Sequence, residues 1–237
     1  MITFVVVTCL KDIKLFERFI TSINEYWDSS TLQRLIVVVN EEKEYLPDFQ
    51  QFKCSALTRW LTVEDVLGHI PKNNRLNGWH SQQQIKLVIS KYVETEYFII
   101  HDSKDFYVRN STLSNYFDDR GLIKYHLTND DTYRQEYKNA CELVGIELPN
   151  LKLKHWTPVV VHTQTQNEMV KEYLDKLGPF LFNQLTFLYG QHGQLFTEFG
   201  LFNAYLSSKS KLLKLYSVNE INDRLKFVRH DKSLRLT

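Results

Sequence analysis

Two short segments hold the side chains best suited to binding an anion. The first, Gly78-Trp79-His80-Ser81-Gln82-Gln83-Gln84-Ile85-Lys86-Leu87, spaces Gln82, Gln83 and Lys86 by three and four residues, which puts them on or beside one helix face. Near the start of a helix, amide and ammonium donors add to the unpaired backbone N–H groups and the macrodipole, and the anion this suits is a diphosphate. The second, His101-Asp102-Ser103-Lys104-Asp105, follows the apolar run Tyr97–Ile100 and so sets carboxylates at a strand's carboxyl end. From there Asp102 can hold a divalent cation bridging two phosphates, neutralising charge that builds on a leaving diphosphate. Each segment also has a plain structural reading: the solvated face of an amphipathic helix in one case, a charged surface turn in the other.

The elements that must position these groups read as an α/β fold. Ile2–Thr8 is apolar on both faces, as a central strand of a parallel sheet is when helices cover it above and below. Lys11–Trp27 repeats apolar residues at Ile13, Phe16, Ile20, Ile23 and Trp27, which is a helical stripe. Arg34–Asn40 reads as a second parallel strand, Leu57–Leu61 as a short strand, Val63–Leu67 as a helical turn, and Ser81–Tyr92 as a helix leading into Tyr97–Ile100. Ligands of such open sheets bind beyond the carboxyl ends of the strands, where Asp102 falls. Further on, Thr132–Val144 reads as a helix stopped by Gly145, and Trp156–His162 as a strand whose early Pro158 is tolerated at a sheet edge or a strand start. Helices are expected at Gln166–Leu177, Pro179–Tyr189 and Phe196–Ser207.

Length and composition bound the function. With 237 residues, 43 % of them hydrophobic, one sizeable core and a single domain are expected. A net charge of +1 supplies no global field for nucleic acid or an anionic membrane, which leaves only a local basic tail at Lys226, Arg229, His230, Lys232 and Arg235. Cys9, Cys54 and Cys141 show no CxxC spacing, which argues against a disulfide framework or zinc site and fits a reducing cytoplasm. No apolar stretch approaches the roughly 20 residues of a membrane span. GxGxxG, GxxxxGK[ST] and GxSxG are absent, and Cys9 reads as a small buried hydrophobe rather than a nucleophile.

In its Gly-Trp, two residues, Gln-Gln, two residues, Lys-Leu pattern at Gly78–Leu87 and the Asp-x-Asp-like turn at Asp102, the chain resembles a family of GT-A-type glycosyltransferases found in bacteria and phages (DUF6492-like). Thr157-Pro158 before an apolar run and Thr197-Glu198-Phe199 at the start of a late helix extend the resemblance over most of the chain. It implies a GT-A-like (Rossmann-like), mostly parallel sheet flanked by helices, one domain over 1–237, with a nucleotide-sugar-binding half at 1–110 and an acceptor-side half at 111–237. It also implies transfer of a sugar from a nucleotide sugar, a UDP-sugar, to a hydroxyl of a glycan or other acceptor, in a bacterial or phage-infected cytoplasm. Thr8, Lys11, Asp12, Asn40, Trp79, Gln82, Gln83, Lys86, Ser103 and Lys104 would then line the donor, and Asp102 and Glu198 would be catalytic.

The implied cofactor is a divalent cation, manganese or magnesium, on Asp102 and Asp105. Here the chain departs from Asp-x-Asp, because Lys104 stands where the second aspartate belongs and Asp105 follows one step later. Either Asp105 serves as the second ligand or the Lys104 ammonium substitutes for the metal. Glu198 has two readings, a helix-start residue complementing the dipole, or a group that binds an acceptor hydroxyl or serves as its general base; His101, His162 and His192 are rival bases. Two alternatives stay open. Phage relatives suggest a hydroxymethylated DNA base as acceptor, with the basic tail on phosphates, and Lys104 suggests a catalytically inactive nucleotide-sugar- or glycan-binding protein.

Overall fold

A strand that is apolar on both sides must be covered on both sides, and all seven residues of Ile2–Thr8 (β1) are buried. The computed structural model describes residues 1–68, 75–126, 134–148, 157–174, 197–209, 212–219 and 228–230. In chain order the named elements after β1 are α1 (Ile13–Tyr26), β2 (Leu32–Val39), α2 (Leu46–Gln50), β3 (Leu57–Thr62), α3 (Val63–Leu67), α4 (Arg75–Val88), β4 (Tyr97–Asp102) and β5 (Asp105–Tyr107). They continue with β6 (Ile123–His126), α5 (Arg134–Val144), β7 (Val159–His162), α6 (Thr163–Met169), α7 (Glu198–Ser208), α8 (Leu212–Leu215), β8 (Tyr216–Asn219) and β9 (Val228–His230). The chain divides into two compact units, Met1–Tyr116 with Thr157–Thr163 and Asp223–Thr237, and Phe117–Trp156 with Gln164–Asn222.

The first unit is built on a five-stranded sheet of order β3-β2-β1-β4-β7. The first four strands run parallel and β7 is antiparallel to β4, so the expected mostly parallel α/β sheet with β1 at its centre is present. Pro158 precedes β7 at the sheet edge, where a missing N–H breaks no ladder, and the Thr157–Pro158 bond is cis. Helix α1 buries Phe16, Phe19, Ile20 and Ile23, and Phe16 meets Phe49, Phe52 and Trp60 at ring separations of 5.8, 6.0 and 6.1 Å. Phe4, with no exposed surface, packs on Trp27 at 4.7 Å and on His101 at 4.8 Å, and His101 also meets Phe19 at 5.1 Å. This aromatic cluster supports the strand that ends in Asp102. β5, directly after that turn, is paired antiparallel with β9.

One helix differs from expectation in a way that bears on the site. The periodicity of Ile85, Val88, Ile89 and Tyr92 suggests a start at Ser81, whereas α4 starts at Arg75 and runs through Gly78. A glycine inside a helix costs only about 1 kcal/mol relative to alanine, and Asn40 Nδ2 donates to the Gly78 carbonyl at 2.9 Å. Lys86 therefore lies in the last turn of α4, so the N-terminal macrodipole has no part in what it binds.

In the second unit β6 and β8 pair in parallel, and α5 packs against α7. Tyr137, Ala140 and Cys141 of α5 are buried, and Gly145 closes the helix at φ +76°, a left-handed conformation that favours glycine. Gly200 marks the close approach: a Cβ there would stand 2.8 Å from Thr197 Oγ1, which caps α7 by accepting from the Gly200 N–H at 2.9 Å, and 3.8 Å from Tyr137 Cα. α6 passes into a π-helical turn at Val170–Leu174. The expected Pro179–Tyr189 helix lies outside the described residues.

If Phe4 anchors β1 and β4 from below, Phe4→Ala is expected to cost about 3–5 kcal/mol of unfolding free energy. Urea denaturation measures this; a loss under about 1 kcal/mol would show that the ring is dispensable to the core.

Candidate functional site

The strand order decides where a ligand fits. From β1 the sheet grows one way through β2 and β3, and the chain then crosses back to lay β4 on the other side of β1. Crevices at such a reversal, beyond the carboxyl ends of the strands, are where open α/β sheets bind ligands. The register pairs Val7 with Asp102 and Thr8 with Val39, so Thr8, Val39 and Asp102 end three adjacent strands and Asn40 follows directly after β2.

Hydrogen bonds then gather the loops. The Asn40 N–H donates to the Thr8 carbonyl at 2.8 Å, and its side-chain amide, held to Gly78, ties α4 to the strand ends. Leu10 N–H donates to Glu41 Oε1 at 3.1 Å, and Ser103 Oγ donates to Asp12 Oδ2 at 3.2 Å. Thr8 Oγ1 is buried with no hydrogen-bond partner among the described residues. Cys9 belongs to the same turn, but burial, and then the charges of Asp12 and Glu41, push its thiol up to about 11, which suits a small packing residue rather than a nucleophile.

At the centre lies an ion pair: Lys86 Nζ donates to Asp102 Oδ1 at 2.8 Å, with the two side chains 7 % and 21 % exposed. Lys104 Nζ stands 3.9 Å from the other oxygen, Oδ2. Burial by itself would raise the Asp102 carboxyl, yet the Lys86 ammonium, and Lys104 after it, hold it below the usual carboxylate range. Asp105 turns inward. Its Oδ2 accepts from the Asp102 N–H at 3.0 Å, lies 3.6 Å from His101 Nδ1, and the residue is 1 % exposed. His101 is fully buried, its Nε2 3.3 Å from the Tyr107 hydroxyl, which in turn lies 3.0 Å from the Tyr116 hydroxyl.

Of the residues singled out in the sequence, the first unit brings Thr8, Asp12, Asn40, Lys86, Asp102, Ser103, Lys104 and Asp105 to this edge. Lys11 is exposed in the turn that holds Asp12, Trp79 is 36 % exposed beside the Asn40-held Gly78, and Gln82 is half-buried. Gln83 and Lys86 are buried, so this face of α4 is not a solvated one. His162 pairs with Tyr97 at the amino end of β4, the opposite sheet edge from Asp102. His192 lies outside the described residues, as do Lys226, Lys232 and Arg235 of the basic tail; Arg229, on β9, is exposed. Glu198 belongs to the second unit, where it follows the Thr197 cap as the first residue of α7 and is 8 % exposed. Glu41, which fastens the first turn, was not singled out; its only sequence signal is the abrupt switch to charge at Asn40-Glu41-Glu42.

The residues at the tip of β4 fit a two-carboxylate metal clamp poorly. Both Asp102 oxygens face ammonium groups, while the Asp105 oxygen seen in contact is directed at backbone and His101. No group of three His, Cys, Asp or Glu able to hold a metal ion occurs among the described residues. A divalent ion on Asp102 would also meet repulsion from the Lys86 ammonium that already occupies one carboxylate oxygen.

The ion pair has a signed consequence for stability. Lys86→Met is expected to cost about 3 kcal/mol near neutrality, the low end for breaking a buried pair, because Asp102 keeps some solvent contact. Since the folded Asp102 carboxyl is held below its ordinary range, the pair's contribution is complete above about pH 4 and is lost as pH falls through the lower folded value. The gap in unfolding free energy between wild type and Lys86→Met should therefore stay constant from neutrality down to about pH 4 and narrow as pH falls below it; a constant or widening gap below about pH 4 contradicts the pairing.

No curated protein matches the chain. Among solved structures it is similar to the apo form of mouse xyloside xylosyltransferase 1, with 14 % sequence identity and a TM-score of 0.48 over 92 % of this chain and 84 % of that one. A family model matches residues 2–234, nearly the whole length, and by that match the chain belongs to the family of unknown function DUF6492.

Proposed function

We propose that the chain is a glycosyltransferase that takes a sugar from a nucleotide sugar, a UDP-sugar, and passes it to an acceptor hydroxyl. The observation that carries this reading is the meeting of Lys86 and Asp102 at 2.8 Å, at the sheet edge where the strand order reverses. In the transfer, the bond from the anomeric carbon to the β-phosphate oxygen breaks, a bond to the acceptor oxygen forms, and the acceptor proton passes to a base. Negative charge gathers on the departing diphosphate, and preorganised ammonium groups beside it lower the barrier without reorganising at the moment of reaction. Lys86 and Lys104 are assigned that role, with Asp102 holding them. Trp79 offers a partly exposed ring for stacking, and Asn40 fixes the start of the motif that carries it. On the same reading residues 1–110 serve the donor and 111–237 the acceptor, and Glu198 is the proposed base.

A second reading, binding of a nucleotide sugar without transfer, is favoured by Lys104 standing beside Asp102. Turnover separates the two.

The test is incubation with UDP-, GDP-, ADP- and CMP-sugars and simple glycan acceptors, scored by thermal shift and by release of the nucleotide. At least one donor is expected to raise the midpoint and to turn over. Asp102→Asn, which unpairs both lysines, is expected to lower that turnover about 100-fold or more. A shift without turnover selects the binding reading, and no shift with any donor defeats both.

A further inference from the structure

The tip of β4 carries its positive charge on side chains. Asp102 directs one oxygen to Lys86 Nζ at 2.8 Å and the other toward Lys104 Nζ at 3.9 Å, so that two ammonium groups flank one carboxylate. Asp105, the carboxylate that could complete a metal clamp, is packed inward against the Asp102 N–H and His101.

We propose that this site binds the diphosphate of its nucleotide ligand without a divalent metal, with Lys86 and Lys104 in the metal's electrostatic role and Asp102 as the counter-ion that fixes them. The proposal rests on the donor-site reading above and specifies how that site recognises its ligand. An ammonium has three N–H donors, so a lysine bonded to a carboxylate can also donate to a phosphate oxygen. The two lysines differ in a useful way. Lys86 is 7 % exposed and pinned by a short bond, which makes it a preorganised point charge. Lys104 lies in the turn between β4 and β5 with 13 % exposure and a looser contact, which allows it to follow the phosphate. Lys104 is also the residue that stands where an Asp-x-Asp pattern has its second carboxylate.

Isothermal titration calorimetry on the full chain with UDP, GDP, ADP and CDP, in buffer with EDTA and in buffer with manganese or magnesium, tests this. At least one nucleoside diphosphate is expected to bind with dissociation constants agreeing to about twofold in the two buffers. Lys104→Met should weaken that binding about tenfold or more, by loss of a charge-assisted contact, and Lys104→Arg should restore most of it. Lys104→Asp, which rebuilds the second carboxylate, should bind well only when manganese is present. Binding by the wild type only with a divalent ion overturns this proposal and leaves the donor-site reading standing. Equal affinity of wild type and Lys104→Met in EDTA also overturns it. Absence of binding to all four nucleotides in both buffers overturns the donor-site reading and this proposal together.

Discussion

The Lys86–Asp102 pair is the constraint around which the first unit is arranged. An ammonium and a carboxylate are each costly to bury alone, and a partner removed from such a pair leaves an uncompensated charge. The fold meets that cost by bringing the last turn of α4 against the end of β4, so that Lys86, almost fully buried, has its counter-charge 2.8 Å away. Two further bonds hold the components at that distance. Asn40 ties the Gly78 carbonyl to the end of β2, and Asp105 accepts from the backbone of Asp102 itself. Beneath them the Phe4, Phe19 and Tyr107 rings pack around His101, with Trp27 against Phe4, and support the end of β4.

What this arrangement offers chemically follows from its place in the sheet. Parallel strands with helices between them send their loops to one edge, and a reversal of strand order such as that between β1 and β4 is where open sheets of this kind bind ligands. The groups found there, two ammoniums about one carboxylate with a hydroxyl, an amide and a half-exposed indole nearby, suit an anion attached to a flat ring. A nucleoside diphosphate has both parts.

Much of this was legible in the sequence because burial on two sides leaves an unambiguous mark. β1, β2 and β4 are continuous apolar runs, and their parallel pairing follows from the helices between them. The proline ahead of β7 left an edge or a strand start open, and β7 lies at the edge; Gly145 marked the end of α5. α4 was harder. The apolar period begins only at Ser81, yet a mid-helix glycine at 78 is cheap enough to be tolerated when its carbonyl gains a bond from Asn40, and the helix starts six residues earlier than that period suggests. The burial of Gln83 and Lys86 was invisible for a related reason: periodicity separates apolar from polar positions, and a polar side chain that is buried, as Lys86 is against Asp102, looks like a solvated one. Nor could spacing reveal that Asp105 faces the backbone of Asp102, since a three-residue turn decides that orientation.

The most direct measurement of the central claim is a crystal structure of the protein with a bound nucleoside diphosphate. The β-phosphate is expected within hydrogen-bonding distance of Lys86 Nζ and Lys104 Nζ at the end of β4, with Asp102 still paired to Lys86. Density for the diphosphate away from that strand end, with the Lys86–Asp102 pair untouched by it, would contradict the account.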